Sequence, residues 1–188
     1  MIRTRPPEAP RRVWLRVPVK LMALAGLAVV GLVLLSSLFS TEAERIEPLA
    51  LDLRSLAPGE IRFDHWNRRR VLVLHRTPDM LRTVQNGDGL LDPESKRSRQ
   101  PDAARNPHRS LRPEYFVAIA HGTDLGCELE FVPQGDPHGG WPGGFRDRCR
   151  GSRYDFAGRV YEGQEAYRNL EIPPHRYLPD GRLLIGEP

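Results

Sequence analysis

The two cysteines of this 188-residue chain, Cys127 and Cys149, are the residues with the clearest capacity for chemistry. They could form a disulfide, bind a metal as thiolates, or stay as free thiols. An even number of cysteines in an exported domain is typical of a disulfide. A closed loop of about 22 residues would stabilise the fold by roughly 3 kcal/mol. We therefore expect a disulfide, and we predict no catalytic residue, because oxidation would quench a cysteine nucleophile.

Polar side chains around the cysteines raise a second possibility, a metal site. His121, Asp124, His138 and Asp147 offer nitrogen and oxygen donors that could coordinate zinc or iron. Their spacing matches neither a helix nor a hairpin, and the cation Arg150 would lie among them. The alternative is a solvated polar tip, and we predict no metal site.

An apolar segment before the cysteine-bearing domain explains how that domain could reach an oxidising compartment. Leu21–Phe39 is an uncharged run of 19 residues, and as a helix it would be roughly 28 Å long, close to the hydrocarbon thickness of a bilayer. A cleaved signal peptide would have a shorter apolar region and a better cleavage site. The chain is thus predicted to have four parts: a basic cytoplasmic arm (1–20), a transmembrane anchor (21–40), a tether or hinge (41–48) and a head domain (49–188).

Charge is segregated along the chain. The net charge is +4, but residues 1–20 alone carry +5 and the remainder carries −1. A basic arm before a single span favours a cytoplasmic N-terminus, and Arg11–Arg12 also resembles a twin-arginine export signal. A nucleic-acid-binding protein would carry a basic face on its folded domain. The near-neutral head gives no support to that class.

The head is predicted to be rich in β-strands. Ile61–Trp66 and Val71–Leu74 predict a hairpin, and Tyr115–Ile119 predicts a buried strand. Thr77–Pro78 predicts the N-cap and first turn of a short helix. Residues 92–113 form a long polar loop, which is either ordered and functional or flexible.

Several segments of the head resemble the Rieske iron–sulfur subunit of ubiquinol–cytochrome c reductase, the cytochrome bc complex. In chain order, the resemblance is carried by Arg76–Pro78, Leu90–Lys96, Arg112–Tyr115, Gly151–Asp155 and Asn169–Pro173. It implies an all-β Rieske-like domain on a single N-terminal transmembrane helix. Such a domain has antiparallel sheets, a short helix and long loops.

The two cluster-binding motifs of that family are altered in this chain. The first family motif is C-T-H-x-G-C, which matches Gly122–Cys127, and the second is C-P-C-H-G-S, which matches Asp147–Ser152. In each family motif one cysteine and one histidine bind iron, and the remaining cysteines form a disulfide, here Cys127 and Cys149. The four ligand positions hold Gly122, Asp124, Asp147 and Arg150.

These replacements lead to two expectations for the tip. A Rieske centre needs two thiolates and two imidazoles, so we predict no cofactor, and in particular no 2Fe–2S cluster. If the loops keep the family arrangement, Asp124, Asp147 and Arg150 would face one site, where a carboxylate–guanidinium network could form. The alternative is that all three point into water. Gly163–Tyr167 matches the family's proline-containing covering loop but has no proline, so the rigid lid is expected to be lost.

Three functions compete. The first is a Rieske-type subunit of a membrane ubiquinol–cytochrome c reductase-like respiratory complex, without a cluster and therefore structural or regulatory. The second is the electron-transferring subunit of that complex, from quinol to cytochrome c, with an atypical centre. The third is an anchored periplasmic binding or metal module. We favour the first.

The favoured function implies partners and a location. The expected partners are the inner membrane and cytochrome b and cytochrome c-type subunits, with the head near the quinol pocket, and no nucleic acid. The expected location is the bacterial inner membrane, crossed once, with the N-terminus in the cytoplasm and the head in the periplasm.

Overall fold

A computed structural model describes residues 11–39, 47–136 and 140–187. The chain divides into two compact units, an N-terminal unit (Met1–Arg45) and a head (Ile46–Pro188). Residues 1–10 of the predicted arm and 41–46 of the predicted tether lie outside the described residues.

Helix α1 (Arg11–Phe39) belongs to the N-terminal unit. Within the described ranges it contains one stretch long and apolar enough to cross a membrane, Val17–Ser37, with 21 residues and a mean hydropathy of 2.3. The apolar stretch begins at Val17, before the predicted anchor at residues 21–40. Val17 and Val19 are apolar, so the stretch continues toward the N-terminus beyond the single charged residue Lys20. The expected apolar helix at the N-terminus is confirmed.

The head consists of antiparallel sheets, one short helix and long loops. Its helix is α2 (Pro78–Asn86), and a 3-10 turn covers Asp102–Ala104. Its strands in the described residues are β1 (Leu49–Asp52), β2 (Ile61–Trp66), β3 (Arg69–His75), β4 (Tyr115–Ile119), β5 (Leu129–Val132), β6 (Gly144–Asp147), β7 (Arg153–Tyr154), β8 (His175–Tyr177) and β9 (Arg182–Ile185). They form three sheets with the orders β1–β9–β8, β2–β3–β4 and β5–β6–β7. The predicted all-β class is confirmed.

The predicted hairpin is formed by β2 and β3. Two residues connect the strands, Asn67 and Arg68, and both have left-handed backbone conformations, with φ of +47° and +59°. A two-residue type I′ turn requires positive φ at both positions, and asparagine tolerates it well. The register pairs Ile61 with Leu74 and Trp66 with Arg69.

Strand β3 lies between the two hydrophobic clusters of the head. Leu72 and Leu74 belong to one cluster, and Val71 and Val73 belong to the other. Successive residues of a strand point to opposite faces of the sheet. This explains why the predicted strand is a continuous apolar run instead of an alternating one.

The predicted helix starts where the sequence indicates. The side-chain oxygen of Thr77 accepts a hydrogen bond from the backbone N–H of Met80 (3.2 Å), and Pro78 occupies the first turn. The helix buries Met80 and Val84 against the core. These contacts confirm the predicted N-cap.

Residues 92–113 form an ordered loop that is held by buried polar groups. The carboxylate of Asp92 accepts hydrogen bonds from the backbone N–H groups of Lys96 and Arg97, both at 2.9 Å. The guanidinium of Arg109 is buried and donates to three carbonyl oxygens, those of Ala157, Gly158 and Leu170. Of the two predicted alternatives, the loop is therefore the ordered one.

Candidate functional site

The candidate site is the tip of the head, where two loops meet next to the sheet β5–β6–β7. Loop 1 (residues 120–128) connects β4 to β5, and loop 2 (residues 148–152) connects β6 to β7. Loop 1 is closed by a hydrogen bond from the backbone N–H of Gly122 to the carbonyl oxygen of Cys127 (2.8 Å). Because β5 and β6 pair in one sheet, the two loops, which carry the two altered motifs, lie side by side.

A disulfide joins the two loops. The sulfur atoms of Cys127 and Cys149 are 2.05 Å apart, and their Cα atoms are 6.1 Å apart. Next to it, the backbone N–H of Arg148 donates to the carbonyl oxygen of Glu128 (3.1 Å). The predicted disulfide is confirmed, so neither sulfur is a free thiolate.

The carboxylate of Asp147 lies inside the tip, and Asp147 is only 3% exposed. Its Oδ1 accepts hydrogen bonds from the backbone N–H groups of Cys149 (2.8 Å) and Arg150 (2.9 Å). Its Oδ2 is buried and has no hydrogen-bond partner within the described part of the chain. The side chain thus organises loop 2 in the manner of an Asx turn.

Gly122 leaves the space that this carboxylate occupies. A Cβ atom at residue 122 would lie 3.0 Å from Cγ of Asp147 and well inside the contact distance of Oδ2. The φ angle of Gly122 is not left-handed, so its backbone does not require glycine. At the two positions where the family has iron-binding cysteines, the absent side chain of Gly122 therefore makes room for the carboxylate of Asp147.

Arg150 pairs with two carboxylates at the surface of the tip. Its Nε lies 3.3 Å from Oδ2 of Asp124, an ion pair without hydrogen-bond geometry, and its Nη1 donates to Oε2 of Glu165 (3.1 Å). Of the predicted network, the pair of Arg150 with Asp124 is formed, whereas the guanidinium of Arg150 does not pair with Asp147. The Asp147 carboxylate accepts hydrogen bonds from backbone N–H groups instead. Sequence reasoning missed Glu165, and no motif indicated it. Because Arg150 is exposed, these pairs contribute little to stability.

Of the four donors considered from the sequence, the three that the structure describes, His121, Asp124 and Asp147, do not form a group. Within the described ranges, donor atoms within 4.8 Å of one another belong to Cys127, Asp147 and Cys149. Two of these atoms are disulfide sulfurs, which leaves one carboxylate. His121 is not in this group, and burial lowers the pKa of its imidazole. His138 lies outside the described residues.

Two hydroxyl groups hold the backbone behind the tip. Tyr154 Oη accepts a hydrogen bond from the backbone N–H of Thr123 (3.0 Å), and Ser152 Oγ accepts one from Ala166 (3.1 Å). Burial raises the pKa of Tyr154, so its phenol stays neutral. Ala166 belongs to Gly163–Tyr167, so this segment is attached to the tip even without proline.

Comparison with known proteins assigns the chain to a family. No family model matches it. It is 43% identical over 144 residues to the ubiquinol–cytochrome c reductase iron–sulfur subunit of Allochromatium vinosum, which covers 74% of this chain and 70% of that protein. The chain belongs to the family of Rieske iron–sulfur subunits. The resemblance drawn from the sequence is confirmed.

Other known proteins are similar to this chain over similar or greater lengths. The ubiquinol–cytochrome c reductase iron–sulfur subunit of Blastochloris viridis is 32% identical over 185 residues, or 95% of this chain and 94% of that protein. The mitochondrial cytochrome b-c1 complex subunit Rieske-4 of Nicotiana tabacum is 33% identical over 85% of this chain and 63% of that protein. A chain of a solved hyperthermophilic respiratory Complex III is 20% identical, with a TM-score of 0.47, covering 89% of this chain and 98% of that one.

Membership of the Rieske family corrects one expectation. The prediction of no cofactor is wrong, because the relatives are named as iron–sulfur subunits, and the family implies a 2Fe–2S cluster. The residues at the matching positions nevertheless do not fit a centre held by two thiolates and two imidazoles. A buried carboxylate fills the space next to residue 122, and a guanidinium has no lone pair for iron. These positions are Gly122, Asp124, Asp147 and Arg150.

Proposed function

We propose that this chain is an anchored subunit of a ubiquinol–cytochrome c reductase-like respiratory complex, in which its head has a structural or regulatory role by docking. The observation that carries the proposal is the match to the Blastochloris viridis subunit. That match covers 95% of this chain, so it includes both the apolar helix and the head. A match limited to the head would not connect the apolar helix with this class of complex.

The proposed location is the bacterial inner membrane, with the head in the periplasm. Three features support it. The Val17–Ser37 stretch of α1 is long enough to cross a bilayer. The +5 charge of residues 1–20 favours retention of the N-terminus in the cytoplasm. The Cys127–Cys149 disulfide is typical of an oxidising compartment.

The proposed docking surface is the apex of loop 1. Leu125 is apolar and 60% exposed. The loop around it is held by the disulfide at Cys127 and by the hydrogen bond from the backbone N–H of Gly122 to the carbonyl oxygen of Cys127. A side chain on a constrained loop loses little conformational freedom on binding. Leu125 is therefore suited to insert into an apolar pocket of a cytochrome b-type partner.

Affinity capture of the tagged full-length chain from detergent-solubilised membranes tests the proposal. We expect haem-bearing subunits to be recovered with it, detected by the reduced-minus-oxidised absorbance difference. Capture without any haem protein would contradict membership of the complex. Iron and acid-labile sulfide, measured on the same sample, would reveal an electron-transfer role in addition to docking.

Substitution Leu125→Asp tests the docking surface. We expect about tenfold less haem per captured chain, because a carboxylate buried in an apolar pocket is strongly unfavourable. Leu91→Asp is the matched control, since Leu91 is also apolar and exposed (37%) but lies outside both tip loops. Equal haem recovery with the two variants would show that loop 1 is not the docking surface.

A further inference from the structure

A cavity of about 490 Å³ lies beside loop 1, and four of the residues that line it are arginines. Four guanidinium groups and one carboxylate give its lining a formal charge of +3. These charged groups and one imidazole come from Arg68, Arg69, Arg99, Arg168, Glu171 and His121. The concentration of positive charge is unusual here, because residues 21–188 as a whole carry −1.

The positive charge of the cavity is only partly neutralised by the protein. Arg69 pairs with Glu171, with 2.9 Å between Nη1 and Oε1. Among the residues that the structure describes, no carboxylate forms an ion pair with Arg99 or Arg168. The guanidinium of Arg168 lies over the ring of Tyr167, 4.9 Å from its centroid. Two guanidinium groups therefore have hydrogen-bond donors available for a ligand.

Hydrogen bonds fix the backbone segments that carry these two arginines. The backbone N–H of Ile172 donates to the carbonyl oxygen of Arg99 (2.9 Å). The hydroxyl of Thr123 donates to the carbonyl oxygen of Arg168 (2.6 Å). Segments distant in the sequence are thus held on the same cavity before any ligand arrives, and this reduces the entropy cost of binding.

We propose that this cavity binds a phosphate group, either of a small soluble phosphate compound or of a phospholipid headgroup. The guanidinium of an arginine is planar and can donate two parallel hydrogen bonds to a phosphate. Arg99 and Arg168 could each bind two oxygens in this way. The volume lies within the range of small-molecule sites, which leaves room for the organic part of a phosphate ester. This inference is independent of the proposed docking role.

Titration calorimetry on the full-length chain in a neutral detergent tests the site, with inorganic pyrophosphate as the probe and sodium chloride holding the ionic strength constant. We expect saturable binding with one site per chain. Arg99→Gln and Arg168→Gln should each weaken binding about tenfold or more, because each removes a charge-assisted pair. Both side chains are exposed, so we expect these variants to fold, and an unchanged unfolding midpoint without ligand would check this.

Arg97→Gln is the matched control, because Arg97 is also an exposed arginine of the same segment but does not line the cavity. It should change the dissociation constant by less than about twofold. An equal loss of binding in Arg97→Gln and Arg99→Gln would mean that general charge attracts the anion, and would overturn the proposal.

The two ligand sources are distinguished by short-chain lipids that stay monomeric in water. Dihexanoyl phosphatidylglycerol carries a phosphate with net negative charge, whereas dihexanoyl phosphatidylcholine has no net charge. Binding of pyrophosphate alone supports a soluble phosphate compound. Arg99-dependent binding of the glycerol lipid, with none of the choline lipid, supports a headgroup. Absence of binding by both pyrophosphate and the glycerol lipid would overturn the proposal.

Discussion

Replacing both Cys127 and Cys149 by alanine is expected to lower the free energy of unfolding of the head by about 3 kcal/mol. The disulfide closes a loop with a sequence separation of 22 residues, so its loss increases the conformational freedom of the unfolded chain. The disulfide also joins two loops. Beside it, their backbones are connected by the hydrogen bond from the N–H of Arg148 to the carbonyl oxygen of Glu128. Urea unfolding of the full-length chain in detergent, followed by tryptophan fluorescence, would measure the change.

Reduction of the unmodified chain provides the control for this prediction. Wild-type protein in excess dithiothreitol should lose a similar free energy, and the alanine variant should not respond to the reductant. The variant is expected to retain β-sheet circular dichroism without urea, because neither cysteine belongs to a hydrophobic cluster. A loss below about 1 kcal/mol would contradict the assigned role of the disulfide.

Gly122→Ala is expected to destabilise the head by about 2 kcal/mol, which is within the usual cost of adding a methyl group to a packed site. The added Cβ would collide with the buried carboxylate of Asp147. That carboxylate cannot move away freely, because Oδ1 holds the backbone N–H groups of Cys149 and Arg150. The same urea unfolding experiment would measure the loss.

A double-mutant cycle identifies the cause of that loss. In Asp147→Ser the hydroxyl can still accept a hydrogen bond from loop 2, but the second oxygen near Gly122 is gone. We expect Gly122→Ala to cost less than about 0.5 kcal/mol in the Asp147→Ser background. Gly126→Ala is the control, because Gly126 has open space around it but a left-handed φ of +71°. Its cost should be the same in both backgrounds, and additive losses at Gly122 and Asp147 would contradict the steric explanation.

Local patterns in the sequence were sufficient to predict much of the head. The β2–β3 hairpin follows from two apolar segments around a short polar connection, and the start of α2 follows from Thr77 and Pro78. Both depend on residues close together in the chain, where propensity and capping act directly. The disulfide was predictable because the chain has only two cysteines.

The arrangement of the tip was less predictable, because it depends on contacts between distant segments. Asp147 lies in a highly charged stretch that suggests exposure, yet its carboxylate is buried. An acidic residue followed by a tight turn is the signal that could have indicated this Asx-type role. The pair between Arg150 and Glu165 has no such signal, since the partners are brought together only by the fold. The buried guanidinium of Arg109 in a polar loop was hidden for the same reason.

The position of β3 between two hydrophobic clusters has a consequence for how this chain can change over evolutionary time. Both clusters include residues of the sheet β2–β3–β4. Of the two tip loops, which the structure describes completely, only Ala120 at the start of loop 1 belongs to either cluster. Substitutions at the tip therefore leave both hydrophobic clusters intact, and they affect folding only through the local contacts of the tip. The scaffold can therefore tolerate a change of chemistry at its apex as long as the local contacts of the tip, the disulfide and the packing of Gly122 against Asp147, are kept or replaced.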